Sequence, residues 1–137
     1  MNDSCGEADL GALLALLRPS LSGTMFAFAT ARASRSIPAG VDVGGTFLED
    51  EGLTIIAPAE QLARTGLDHS GPFAKISLKV HSSLAAVGLT AAITTALTKE
   101  GISANVVAGY FHDHVFVPWE LRHRALQVLL ELAAAAA

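Results

Sequence analysis

The sequence predicts an α+β fold in which antiparallel sheets carry helices on one face, arranged as two lobes. Three observations lead there. Short apolar runs of strand length alternate with stretches of helical period. The run FAKISLKV sets Ala74, Ile76, Leu78 and Val80 against Lys75, Ser77 and Lys79, so that one sheet face is buried and the other wet. The order helix, strand, strand, helix occurs twice, as in domains that segregate helices to one side of an antiparallel sheet.

Met1 to Glu7 carry no periodic pattern and are expected to lack structure. Asp9 can cap a helix whose Leu10, Leu13, Leu14 and Leu17 share one face, and Pro19 stops it. Residues 24–31, TMFAFATA, form a mostly buried strand. Residues 32–52, with Pro38, Gly40, Gly44, Gly45 and the acidic Glu49-Asp50-Glu51, lack a period over most of their length and predict a mobile solvated loop. LTIIAP is a short strand, and Pro58 opens a helix that Gly66 ends.

After the 73–80 strand, Ser82 or Ser83 can cap a helix carrying Leu89, Ile93 and Leu97. Gly101 closes it as a left-handed cap, with Ile102 folding back on the last turn. SANVVAGY and HVFVP predict a hairpin turning around Phe111 to Asp113, and Pro118 opens the last helix. Laying Pro58 over Pro118, 60 positions on, aligns TIIAPAEQLAR with HVFVPWELRHR. The chain is therefore divided into a disordered 1–7, a lobe 8–70 and a lobe 71–137, each of ferredoxin-like element order.

Composition narrows the function classes. Nine Lys and Arg against 13 Asp and Glu give a net charge of −4, without a basic run to hold phosphate backbones or anionic lipid. Nucleic acid and membrane surfaces are excluded as partners on that ground. Cys5 is the only cysteine, so no internal disulfide or all-cysteine zinc site can form, and a reducing, cytoplasmic setting is expected. The acidic start lacks the basic region of a secretory signal, and no apolar run is long enough to span a bilayer.

VHSSLAAVGLTAAITTALTKEGISANVVAGYFHDHVFVP resembles the carboxy-terminal part of small stand-alone bacterial ACT-domain proteins of unassigned role. FLEDEGLTIIAP and RPSLSGTMFAFAT resemble the amino-terminal half of the same family, so the likeness covers about 12–131. The tandem order is distantly similar to arginine sensors of the CASTOR type. The resemblance implies a ferredoxin-like ACT fold and a regulatory module that binds amino acids at an interface between two such domains. The 32–45 loop and Trp119 depart from the family pattern.

The loop His81-Ser82-Ser83-Leu84-Ala85-Ala86-Val87-Gly88 joins a strand end to a helix start, where free N–H groups and the dipole attract a carboxylate. The resemblance puts an effector there. With Asn105 on the neighbouring strand, His81, Ser82, Ser83, Val87 and Gly88 form the expected ligand site; helix capping by the serines and a half-exposed strand asparagine are the plain structural alternatives. His112 and His114 project to one face at i, i+2, but two histidines do not complete a metal site, so neither metal nor cofactor is expected. Adjacent His81 and Ser82 point to opposite faces, and the glycines form no phosphate loop, so the chain is expected not to be an enzyme. The resulting expectation is an amino-acid-binding regulatory homodimer with an unidentified protein partner, the alternative being an interaction module without a functional pocket.

Overall fold

The computed structural model describes residues 7–80 and 87–137. In chain order the elements are α1 (Glu7–Ala15), β1 (Pro19–Leu21), β2 (Phe26–Ala31), β3 (Gly45–Glu49), β4 (Gly52–Pro58), α2 (Ala59–Ala63), β5 (His69–Leu78), α3 (Leu89–Lys99), β6 (Asn105–Ala108), β7 (Asp113–Pro118), a 3-10 turn (Trp119–Leu121) and α4 (Arg122–Ala136). Of the stretch expected to lack structure, Met1–Gly6 lie outside the described residues and Glu7 opens α1. Asp9 is therefore inside that helix and not its cap.

Packing divides the chain into two units, Gly23–Ala74 and Met1–Ser22 with Lys75–Ala137. The pattern of the sequence puts the boundary at 70/71 and the first helix in the first lobe; by contacts α1 and β1 go with the second unit. The cause lies in the leucine stripe, because α1 packs on α3 and α4, and Leu14 and Leu17 are buried there. β1 then pairs with the second part of β5 through Pro19 to Leu78, Ser20 to Ser77 and Leu21 to Ile76. Pro19 is thus both the stop of the helical stretch and the first residue of a strand, a position that needs no N–H.

In this unit the strands run in the order β1-β5-β7-β6, and β6 pairs antiparallel with β7. The order is that of a ferredoxin-like β-α-β-β-α-β layer built from β5, α3, β6, β7 and α4, with β1 as its fourth strand. Ile76, Leu78, Val115 and Val117 of the sheet and Leu89, Ile93, Leu97 and Leu129 of the helices make the interior. α3 ends as expected: Gly101 has φ +70, its N–H reaches Thr98 O at 3.0 Å, and Ile102 N reaches Leu97 O at 3.0 Å while its side chain is buried. This is a Schellman cap.

The unit Gly23–Ala74 has the order β3-β4-β2-β5, all antiparallel, with α2 against β2 and β4. It is the same strand order, but the crossover from β2 to β3 carries no helix. That segment, expected to be a mobile loop, is held at several points. Arg35 donates to Glu49 O at 3.0 Å and Asp50 O at 2.6 Å. Asp42 N–H donates to Gln61 Oε1 at 2.7 Å, and Gln61 Nε2 returns a bond to Asp42 Oδ2 at 2.9 Å. Gly44 N–H donates to Ile56 O at 2.7 Å. The expected loop also contains β3, an edge strand with Phe47 73% and Leu48 62% exposed. Apolar side chains that stay in solvent give no alternation to read.

With only a five-residue helix and an extended crossover over it, the interior of this unit is shallow. Its core is correspondingly built of Ala27, Ala29, Ala31 and Ala57 around Ile55 and Leu62. The repeat is visible in the backbone: Pro58 (φ −53, ψ 131) and Pro118 (φ −53, ψ 135) each end a strand and precede a helical turn bearing Glu60 or Glu120. Both stand one residue before the first helical position, where the missing N–H costs nothing.

Leu17→Ala should lower stability by about 2–5 kcal/mol, because the side chain is fully buried and leaves a cavity. Its neighbour Leu16, 52% exposed, should change stability by no more than about 0.5 kcal/mol when truncated. Urea unfolding of the two variants beside the parent protein measures the contrast.

Candidate functional site

His81, Ser82 and Ser83 of the expected site lie outside the described residues. Val87 is 78% exposed, and Gly88 stands immediately before α3 with φ +92. Among the described residues no side chain caps this helix start; its first intrahelical bond runs from Ala92 N–H to Gly88 O, so the N–H groups of Leu89, Thr90 and Ala91 have no acceptor within the helix. A Cβ at Gly88 would lie 3.2 Å from Leu10 Cδ2 of α1. The glycine therefore serves a strained backbone and a close approach of α1, and a bulky residue there would disturb the fold as well as any ligand. Asn105 is exposed on β6, opposite Phe116 of β7.

Two further groups of polar residues emerge from the packing. On β5 and β7 of the second unit, Ser77 Oγ lies 2.8 Å from His114 Nδ1, so the side of β5 read as wet contains a buried serine. Burial, then the charges of Lys75, His112 and Lys79, hold the His114 imidazole below its ordinary pKa, with Asp113 opposing. The hairpin tip folds tightly over this strand: Gly109 N–H donates to His112 O at 2.9 Å, and a Cβ at Gly109 would come within 2.7 Å of that oxygen. His112 Nδ1 is buried without a hydrogen-bond partner among the described residues. Tyr110 and Phe111 stand outward at the tip, edge to face with centroids 5.0 Å apart.

A serine at hydrogen-bond distance from a histidine is the geometry of an activated nucleophile. Here its surroundings argue for a structural bond. Ser77 is only 7% exposed, and Asp113, next to His114 on the strand, projects to the other face and cannot orient the ring. Among the described residues no group of three His, Cys, Asp or Glu side chains could hold a metal.

The third place lies in the unit Gly23–Ala74, on the sheet face that carries Phe28, Thr30 and Thr54. An open depression of about 570 Å³ is lined there by Phe28, Thr30, Glu49, Thr54, Asp68 and His69, among others. Thr54 Oγ1 donates to Glu49 Oε1, and Phe28 is set edge to face on Phe73 at 5.3 Å. The sequence offered only the acidic group at 49–51 as a hint of this site; Thr54 and Asp68 reach it through the pairing of β4 with β2 and the bond from Thr30 N–H to Asp68 O.

The sequence matches two ACT-domain family models, one over residues 5–74 and the other over 70–131. The chain belongs to the ACT-domain family. Among solved structures, this ACT protein is 45% identical to a Vibrio cholerae protein described as of unknown function and a possible transport protein. The match covers 91% of this chain and 96% of that one, with a TM-score of 0.82. A protein from Agobacterium tumefaciens is 19% identical, over 80% of this chain and 84% of its own, with a TM-score of 0.67. The ligand-free regulatory subunit of aspartate kinase from Thermus thermophilus is 14% identical, over 83% and 95%, with a TM-score of 0.60. At that identity the last two show likeness of fold. No functionally curated protein matches the sequence. The ACT matches and the strand orders agree on a tandem α+β, ferredoxin-like protein.

The lowered pKa of His114 has a consequence for the stability of this ACT protein. Above the ordinary value of 6.5 the ring is neutral both folded and unfolded. As pH falls below it, the unfolded chain binds a proton that the folded one resists, so stability falls until the folded pKa is passed. The urea midpoint of the parent protein should drop between pH 7.5 and pH 5 by more than that of His114→Asn. Equal drops in the two would show that His114 is not the titrating group.

Proposed function

We propose that this ACT protein is a small-molecule sensor or regulatory subunit, acting without catalysis, whose ligand is a free amino acid or a similar zwitterion. The observation that supports it most is the double ACT-domain match over 5–74 and 70–131. The carboxylate would be held where the 81–88 loop meets α3, by N–H groups at the helix start and by Ser82 or Ser83. Such charge-assisted bonds are stronger than neutral ones. Asn105, with an amide that both donates and accepts, would take the polar backbone atoms of the ligand. His81, Val87 and Gly88 would complete the wall.

The protein would work as a homodimer in the cytoplasm, with a protein partner that its ligand state controls. The exposed edge strands β3 and β6 offer unpaired main-chain groups through which sheets can join. A second reading, an interaction module without a functional pocket, is favoured by Tyr110 and Phe111, 78% and 63% exposed at one hairpin tip.

A thermal-shift screen of the twenty amino acids at millimolar concentration should raise the midpoint for at least one. A ligand at a hundredfold excess over its Kd stabilises by about 2.7 kcal/mol. Asn105→Ala should reduce that shift and leave the ligand-free midpoint nearly unchanged, since the residue is exposed. Native mass spectrometry of the same sample should give a dimer retaining the ligand. A response to none of the twenty would favour the interaction module.

A further inference from the structure

The depression on the sheet face of the unit Gly23–Ala74 has a chemistry unlike that of the proposed amino-acid site. Glu49 and Asp68 stand at its margin as carboxylates, and Thr30, Thr54 and Ser70 add hydroxyl oxygens. Neither carboxylate is ion-paired with a cationic side chain among the described residues. Arg35 comes close, but its guanidinium is bound to the main-chain carbonyls of Glu49 and Asp50. That arrangement presents acceptors and negative charge to solvent over an aromatic floor.

A bare divalent metal suits this place poorly. Such ions take six or more oxygen ligands at short range, and no three acidic or imidazole groups among the described residues converge. A cation with an apolar body suits it better. Its ammonium group would meet the carboxylates and the hydroxyls, and its alkyl stem would cover Phe28, whose ring face also attracts positive charge.

We propose that this depression binds a small organic cation, an alkylammonium whose charged head lies against Glu49 and Asp68 and whose stem lies on Phe28. The site does not depend on the amino-acid reading, because it lies wholly within one unit and requires no carboxylate on the ligand. Thr54 sets the direction of the Glu49 side chain, and the bond from Thr30 N–H to Asp68 O brings Asp68 to the margin. Residues that are far apart in sequence therefore form one acceptor surface.

The test is an amide-resolved NMR titration of the full chain with cadaverine at low salt, beside 1,5-pentanediol, which has the same stem without the charge. Cadaverine should produce saturable shifts at the amides of Thr30, Thr54, His69 and Ser70, and the diol should not. Glu49→Gln, which keeps an oxygen for the Thr54 bond, and Asp68→Asn should each weaken binding about fivefold, the scale of one solvent-facing ion pair. Raising the salt should weaken it further. Glu60→Gln, on α2 and paired with Arg64, should leave it unchanged. The NMR spectrum of each variant reports its own fold, and the two acidic positions test the site separately. Absence of saturable shifts at these amides, an equal response to the diol, or parental affinity in both acidic variants would overturn the proposal. A response to lysine in the amino-acid screen is assigned by the variants: loss in Glu49→Gln places it in this depression, and loss in Asn105→Ala places it at the start of α3.

Discussion

The pairing demands on β5 organise the rest of the structure. A ferredoxin-like layer needs four strands, and this chain meets the need twice by using one ten-residue strand in both units. The first part of β5 closes the sheet of the unit Gly23–Ala74 against β2, as its fourth strand. The second part begins the other unit, where β1 supplies the fourth strand from upstream in sequence. A strand of three residues could not hold that place alone. It is held because Leu17 and Leu14 bury the helical segment before it, and because Lys79 N–H and Val80 N–H donate to Arg18 O and Leu17 O, extending the junction.

The missing crossover helix explains the character of the unit Gly23–Ala74. A helix between β2 and β3 would have covered the inner sheet face with large side chains. Here that face has alanines, a short α2 and a crossover fixed by Arg35, the Asp42–Gln61 pair and Gly44. Polar bonds at defined points thus replace an apolar stripe as the means of ordering the segment. Such bonds are individually modest, about 1 kcal/mol net each, but all except the one between the Gln61 and Asp42 side chains satisfy a main-chain group.

The parts of the fold visible in the sequence are those whose side chains repeat with a period. Ile76 and Leu78 declared β5, Leu89, Ile93 and Leu97 declared α3, and the paired prolines declared the ends of β4 and β7. The parts that escaped are set by partners far along the chain. β3 shows no alternation because Phe47 and Leu48 are both exposed, and β1 is a strand only through its register with β5. The same holds for sites. The body of α3 could be found from its spacing, whereas its start, expected at Ser82 or Ser83, stands at Gly88, and Ser77 and His114, 37 residues apart, meet only after folding. The depression is a sharper case, since Glu49, Thr54 and Asp68 belong to three successive elements and no local pattern links them.

A catalyst needs a group whose reactivity is raised and exposed to substrate together. Among the described residues, the perturbed His114 and the exposed polar groups are different residues. His114 is perturbed, but it is bound to Ser77 beneath a hairpin tip that Gly109 allows to close on His112 O. Among the exposed groups, the start of α3 offers main-chain donors, and the depression offers carboxylate and hydroxyl acceptors. Donors and acceptors of this kind can recognise a charged ligand, which is what the proposed sensor requires.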